Sequence, residues 1–339
     1  MNIAVVYSVP TRRALSGSTL ATEEDTVTTA RSVSETLSKR GENVALVPVS
    51  QDSIEMTLRA VQADCIVNLI DWSGQDLPLM EEAMKLLEEL HIPYTGATRE
   101  TLFNLSDKIG MKNILSKAGL PVAAWQQFHT PDEALHTRLH FPVIVKLARE
   151  HCSIGLDRTS IATSPLDLQM LIARRIEEYC QPVFAEEFLG GREFQVTVIE
   201  REHGPSVLPP SEIHYRLGAA ATFLTFSSRW SDDGRDAVSS YIRIADLTPA
   251  LLSELTQICR ETWRVCSLTD YARVDLRMRD DSTFLVLEAN ANPGLSTDVE
   301  TDCAITLSYQ AIGMNFSDFL GGIISSCLRR GRRAHTGAR

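Results

Sequence analysis

Residues 271–294, YARVDLRMRDDSTFLVLEANANPG, constrain the fold more than any other stretch of the chain. Two β-rich runs, 271–279 and 283–290, flank a short polar turn and read as a hairpin. Strand side chains alternate between faces. Arg273, Asp275 and Arg277 therefore share one side of the first run, and Phe284, Val286, Glu288 and Asn290 one side of the second. A two-residue turn sets Asp275 opposite Val286 and Arg273 opposite Glu288, whereas a four-residue turn sets Asp275 opposite Glu288. Either leaves Asp275, Glu288 and Asn290 on one side; a three-residue turn separates them. The second run begins as an ordinary buried strand and ends in a carboxylate, two amides and an Asn-Pro-Gly turn. Groups of that kind are costly to bury unless something pairs with them.

Two carboxylates and an amide oxygen on rigid strands make a hard-oxygen site. Magnesium suits such a site, because it keeps waters and takes further ligands from substrate phosphates. The alternative is that the acids pair with Arg273 and Arg277 on a solvated hairpin face. The apolar flank and the abrupt turn weigh against it.

The rest of the chain is alternating α and β. NIAVVY, VALVPV and CIVNLI read as strands, with a helix over 25–39 stopped at Gly41 and a short helix over 55–62. A further helix places Leu79, Ala83, Leu86, Leu87 and Leu90 at helical spacing. Strand–helix alternation implies a parallel, Rossmann-like doubly wound sheet over 1–97. Residues 98–184 and 185–330 then form two α+β units, giving a mixed α/β and α+β chain. In the first of these a helix from SDKIG ends at Gly119 and Pro121, and Ser164 with Pro165 opens another. PVFAEEFLGGREFQVTVIE reads as two strands around a turn, 209–240 as loop-rich, and 316–330 as a closing helix. The basic run at 331–339 reads as a disordered, solvated tail.

A formal net charge of −11 argues against a nucleic-acid partner, and no apolar run is long enough to span a bilayer. The N-terminus lacks the basic region of a signal peptide. The seven cysteines (65, 152, 180, 259, 266, 303 and 327) show no paired spacing, so reduced thiols in a cytoplasmic protein are expected.

A metal that grips phosphates needs those phosphates held from elsewhere. Lys146 ends the apolar strand FPVIVK and is followed by a short loop carrying Ser153 and Gly155, a combination able to cradle an anion. Lys108 opens a helix and adds a second cation near its positive end. In FAEEFLGGREF, Glu186, Glu187 and Glu193 border a Gly-Gly pair; an extended backbone here can meet a planar base while carboxylates reach ribose hydroxyls. Exposed acids at an ordinary β-turn are the plainer reading.

Together LSDK (105–108), FPVIVK (141–146), EEFLGGREF (186–194), ARVDLR (272–277) and LEANANPG (287–294) resemble the ATP-grasp superfamily. Within it the order and spacing are most similar to D-alanine–D-alanine ligases, over about residues 92–300. The resemblance implies an enzyme that phosphorylates a carboxylate with ATP and magnesium, after which an amine attacks the acyl phosphate. It implies ATP phosphates on Lys108, Lys146 and the Ser153 loop, and adenine against the backbone of Glu187 and Leu189 with Glu186 in the same pocket. Glu193 would reach the ribose, and two magnesium ions would sit on Asp275, Glu288 and Asn290. Arg273 and the N–H of Gly294 would hold the tetrahedral oxyanion, and Arg229 would sit on a lid over the phosphates. A homodimer is also implied.

Several substrate-recognising positions depart from the family pattern. Its first loop carries a GGxSxE-type motif, whereas this chain offers only Glu23 or Glu24; its HGxxGEDG-like stretch is DWSGQD here. In the phosphate loop a serine is Cys152 and a glycine is His151; the lid tyrosine is Trp230; and the serine for the second carboxylate falls on Val299, beside Glu300. An apolar valine cannot pair with a carboxylate. The expectation is a carboxylate–amine ligase for a small amino-acid-like substrate other than D-Ala plus D-Ala. The family's own D-Ala–D-Ala activity and a catalytically reduced ATP-binding regulator are the alternatives.

Overall fold

The computed structural model describes residues 1–339 apart from 18, 217–221, 231–239, 281, 296–303 and 338–339, and only the backbone of 333–337. Three sheets organise them. The first holds β1 (Asn2–Ser8), β2 (Asn43–Val49) and β3 (Cys65–Leu69), all parallel, in the order β2-β1-β3. Parallel neighbours require crossovers. Helices α1 (Arg12–Ser16) and α2 (Leu20–Lys39) supply the first and α3 (Ile54–Arg59) the second, and α4 (Leu77–Glu89) follows β3. β1 and β3 are buried along nearly their whole length, as strands covered on both faces are.

Helices α5 (Arg99–Ser106) and α6 (Lys108–Lys117) lead out of this unit. Asp107 breaks them apart and caps α6, its carboxylate accepting from the N–H groups of Ile109 and Gly110. The second sheet is antiparallel: β4 (Trp125–Phe128), β5 (Val143–Leu147), β6 (Ile161–Ala162) and β7 (Val183–Glu187), in the order β4-β7-β5-β6. Helix α7 (Pro165–Tyr179) packs on it, opened by Pro165 and capped by Ser164 as the sequence predicts.

The third sheet comprises β8 (Glu193–Arg201), β9 (Gly204–Val207), β10 (Ser211–Tyr215), β11 (Ser240–Ile244), β12 (Tyr271–Met278) and β13 (Phe284–Asn290). Its order is β11-β10-β8-β12-β13, with β9 also on β8. Helix α8 (Phe226–Trp230) lies between β10 and β11, α9 (Pro249–Val265) precedes β12, and α10 (Ala304–Gln310) and α11 (Phe316–Gly337) close the chain. One apolar core joins the first and third sheets through residues such as Val6, Leu87, Met111, Val274 and Val286. The second sheet has its own core around Val143, Val145, Leu168 and Ile172.

Four expectations change. β7 and β8 do not pair around the Gly-Gly turn; they belong to different sheets, and 188–192 crosses between them. A side chain at Gly191 would stand 2.5 Å from the carbonyl oxygen of Met278, so this crossing needs a bare backbone. The boundary expected at 184/185 falls inside β7. The tail is not disordered over 331–337, because α11 runs on to Gly337. No proline interrupts it, and Arg330 anchors it by donating to the carbonyls of Tyr94 (2.7 Å) and Gly96 (3.1 Å) and to Asp270 (2.7 Å). The loop-rich stretch after 209 in fact contributes β10, α8 and the start of β11.

Candidate active site

A cavity of about 590 Å³ lies where the three sheets converge. One wall comes from β12 and β13. Here the connection is the three-residue one: Arg279 pairs with Thr283, and Met278, Arg277 and Leu276 face Phe284, Leu285 and Val286. That register alone would turn Asp275 and Glu288 to opposite faces. A β-bulge corrects it. Leu287 is the extra residue, and beyond it Asp275 pairs with Glu288 and Arg273 with Asn290. The three groups share the cavity face after all, by a route the sequence did not reveal.

Arg273 does bind Asp275, through two bonds of 2.7 and 2.9 Å, and Asn290 donates to Asp275 at 3.3 Å. The pair faces the cavity rather than a solvated surface. Arg277 goes elsewhere, to Glu193 at 3.0 Å. Gly294 lies at the end of the same wall, and among the described residues no atom comes within 4 Å of where its side chain would begin.

Opposite, Lys108 reaches Glu288 at 2.5 Å and Lys146 reaches Glu186 at 2.6 Å. A residue not anticipated joins them: Lys112, on the same helix face as Lys108, contacts the other oxygen of Glu186 at 2.8 Å and is wholly buried. Burial would raise the pKa of Glu186, but Lys112 and Lys146 outweigh it and hold the carboxyl at about 2. Burial pushes Lys112 down, whereas for Lys146 the attraction of Glu186 and Glu288 overrides burial and moves it up. Glu288 is likewise lowered, burial being outweighed by Lys108 and Arg273.

Glu187, Leu189 and Glu193 all line the cavity beside the crossing segment. Both carboxylates are held: Glu187 by Arg279 at 2.9 Å, and Glu193 by Arg277 and the hydroxyl of Tyr215 at 2.8 Å.

The loop over 149–153 and the DWSGQD segment dock on each other. Gly74 N–H donates to the carbonyl of Arg149 at 2.8 Å, Ser73 to Glu150 at 3.1 Å, and His151 Nε2 lies 3.3 Å from Asp71. Gly74 has φ of +58°, and a side chain there would overlap Glu150, so only glycine permits this contact. Cys152 and Ser153 both take positive φ, 54° and 61°, which bends the loop around the cavity edge. Trp230 donates its indole N–H to the Cys152 carbonyl at 3.0 Å, with Arg229 over its ring.

On the side of the first sheet, α2 presents Thr22, Asp25, Thr26 and Thr29 to the cavity. Glu23 and Glu24, the expected candidates, are not in the lining: Glu23 accepts from the backbone of Thr11 at 2.8 Å, and Glu24 is exposed. The helix starts at Leu20, earlier than expected, which sets this phase. Val299 and Glu300 lie outside the described residues.

Among the described residues no three His, Cys, Asp or Glu side chains cluster closely enough to hold a metal unaided. Asp275, Glu288 and Asn290 nonetheless fit magnesium of the phosphate-bridging kind, which needs few protein ligands. Each carboxylate is paired here with a side-chain cation, Asp275 with Arg273 and Glu288 with Lys108. No helix among the described residues is long and apolar enough to cross a membrane.

Known proteins share this fold. A family model described as "D-ala D-ala ligase C-terminus" matches residues 114–325. An uncharacterized protein of Sinorhizobium fredii, y4sG, is 30% identical over 246 residues, 72% of this chain and 69% of its own. The D-alanine–D-alanine ligase of Alcanivorax borkumensis is 28% identical over 247 residues, 73% of each chain. The crystal structure of D-alanine–D-alanine ligase from Bacillus anthracis has a TM-score of 0.74 at 22% identity, covering 98% of this chain and 99% of its own. Its complex with ATP gives 0.72 at 20%, over the same shares. At such identities the solved structures establish the ATP-grasp fold. The family match spans well over half of the sequence, and this chain therefore belongs to the D-alanine–D-alanine ligase family of ATP-grasp ligases.

Proposed function

We propose that the protein joins a carboxylate to an amine at the expense of ATP, through an acyl phosphate, releasing ADP and phosphate. One observation carries this: Arg273, Asp275, Glu288, Asn290 and Gly294 share a cavity wall that faces Lys108 and Lys146. Those lysines and the Ser153 loop hold the phosphates, and the 186–193 segment receives the base and ribose. Asp275, Glu288 and Asn290 would hold magnesium, two ions in this reading, which would supply positive charge to the phosphates. Arg273 and the Gly294 N–H aim donors at the oxygen that becomes negative when the amine attacks. Arg229 and Trp230 close the cavity edge and keep water from the acyl phosphate. A protein that merely binds ATP needs no oxyanion donors, which sets the regulatory alternative aside.

The substrate in this reading is small and amino-acid-like, and not two molecules of D-alanine. Support comes from the sequence at Val299 and from a cavity edge carrying Asp25, Asp71, His151 and Cys152. D-Ala–D-Ala ligation is the second reading, favoured by the names of the relatives. The reading also takes in a cytoplasmic homodimer, as the resemblance implies. Incubation with ATP, magnesium and pooled L- and D-amino acids, with phosphate release followed and products identified by mass, tests it. Substrate-dependent release with an amide product supports the ligase; release indifferent to added amino acids defeats it, and D-Ala–D-Ala as the product defeats the substrate assignment.

A further inference from the structure

Glu193 opens β8 and lies directly opposite Arg277 of β12 in the antiparallel register, with β10 on its other side. Cross-strand partners share a face, so guanidinium and carboxylate meet on rigid strands with no loop to place them. Arg277 Nη1 donates to Glu193 Oε2 at 3.0 Å, and the hydroxyl of Tyr215, on β10, donates to the same oxygen at 2.8 Å. Among the described residues nothing donates to Glu193 Oε1, and Glu193 lines the cavity. One oxygen is locked, and the other is left to accept from a ligand.

Arg277 is itself immobilised. Only 4% of it is exposed. Its Nε donates to the carbonyl of Gly191 at 3.2 Å and its Nη2 to that of Thr222 at 2.6 Å. The guanidinium carbon lies 5.1 Å from the centre of the Phe188 ring and 5.8 Å from that of Tyr215. Gly191 belongs to the segment crossing from β7 to β8, and Thr222 to the stretch leading into α8. A planar fork with five donors ties both to Glu193 at once, which an ammonium acting as a point charge does not.

We propose that Arg277 and Tyr215 are positioning residues that fix Glu193 as a reader of ribose hydroxyls, so that the site selects nucleotides with an intact ribose. The proposal rests on the reading of 186–193 as the nucleotide segment. An ionised carboxylate only accepts, and a ribose hydroxyl is the donor that its open oxygen lacks. A nucleotide without that hydroxyl leaves the oxygen unpaired in a site where the Glu193 side chain is only 12% exposed. Held by two donors, the carboxylate cannot swing away to find water instead.

The test is isothermal titration calorimetry of the full chain with magnesium and either ATP or 2′,3′-dideoxy-ATP, which lacks both hydroxyls. The parent is expected to bind ATP about tenfold or more tightly than the dideoxy nucleotide. Arg277→Met should abolish the difference. Tyr215→Phe, which keeps the ring and every charge, should cut it severalfold, and it decides the matter alone if Arg277→Met does not fold. The ratio of affinities is the diagnostic quantity, because a purely structural role weakens both nucleotides alike and leaves it unchanged. An unchanged ratio in the variants overturns the proposal. Equal affinities in the parent overturn it together with the placing of ribose on Glu193. A preference for ATP that the variants lose, with no amide formed from pooled amino acids, defeats the ligase reading and upholds this one, so the two can fail separately.

Discussion

Lys112 and Glu186 form a fully buried ion pair, 2.8 Å apart, directly behind the lysines that face the cavity. Glu186 thus organises two cations: it neutralises Lys112 inside and aims Lys146 outward. Removing Lys112 leaves one buried oxygen of Glu186 without its cation, while Lys146 still holds the other. Lys112→Met is expected to cost about 1–3 kcal/mol of folding stability. Adding Glu186→Gln should recover a large part of that loss. Urea denaturation of both variants checks this, and a single-variant loss under about 1 kcal/mol contradicts it.

The same pair sets an acid limit. Glu186 titrates near 4.5 when unfolded and at about 2 when folded. Its stabilisation is therefore complete above 4.5 and disappears as pH falls through 2, on the order of 3 kcal/mol in all. The stability gap between the parent and Glu186→Gln should narrow from pH 5 to pH 2 in urea titrations; a gap independent of pH would rule this out.

Glu288→Gln keeps the shape of β13 while removing the charge that faces Lys108. Turnover should be abolished, the magnesium requirement of nucleotide binding weakened, and the far-ultraviolet circular dichroism unchanged. Normal turnover in this variant would make the hairpin acids structural.

Trp230→Phe retains an aromatic ring under Arg229 but loses the bond to the Cys152 carbonyl. A single neutral hydrogen bond of about 1 kcal/mol corresponds to roughly a fivefold fall in kcat/KM. The share of ATP hydrolysed without amide product should rise as the lid loosens. Steady-state kinetics with parallel product analysis checks both, and an unchanged hydrolysis share argues against a lid.

Local chemistry made much of this legible in advance. Alternation marked Arg273 and Asp275 as sharing one face of β12 and Glu288 and Asn290 one face of β13, though not the bulge that brings the two pairs together. Ser164-Pro165 marked the start of α7, because these signals act within a few residues. Lys112 left a trace too, four positions after Lys108 and so on the same helical face. Contacts between distant segments left none: nothing in DWSGQD announces that Asp71 meets His151, eighty positions on. Choosing Asp25 over Glu23 and Glu24 required the start of α2, and helix ends are poorly marked in sequence.

Leu287 and the odd-numbered turn have a genetic consequence. Counted from the turn, each adds one residue on the β13 side, and the two together keep Asp275 and Glu288 on one face. Deleting Leu287 joins Val286 directly to Glu288, so Leu276 still faces Val286 and Asp275 still faces Glu288. Deleting Ser282 shortens the turn to two residues and leaves the pairing beyond Arg279 and Thr283 as it is. Both single deletions and the double deletion should therefore retain activity. Assay of the three would show whether Leu287 is a spare residue that the hairpin can lose without losing its register.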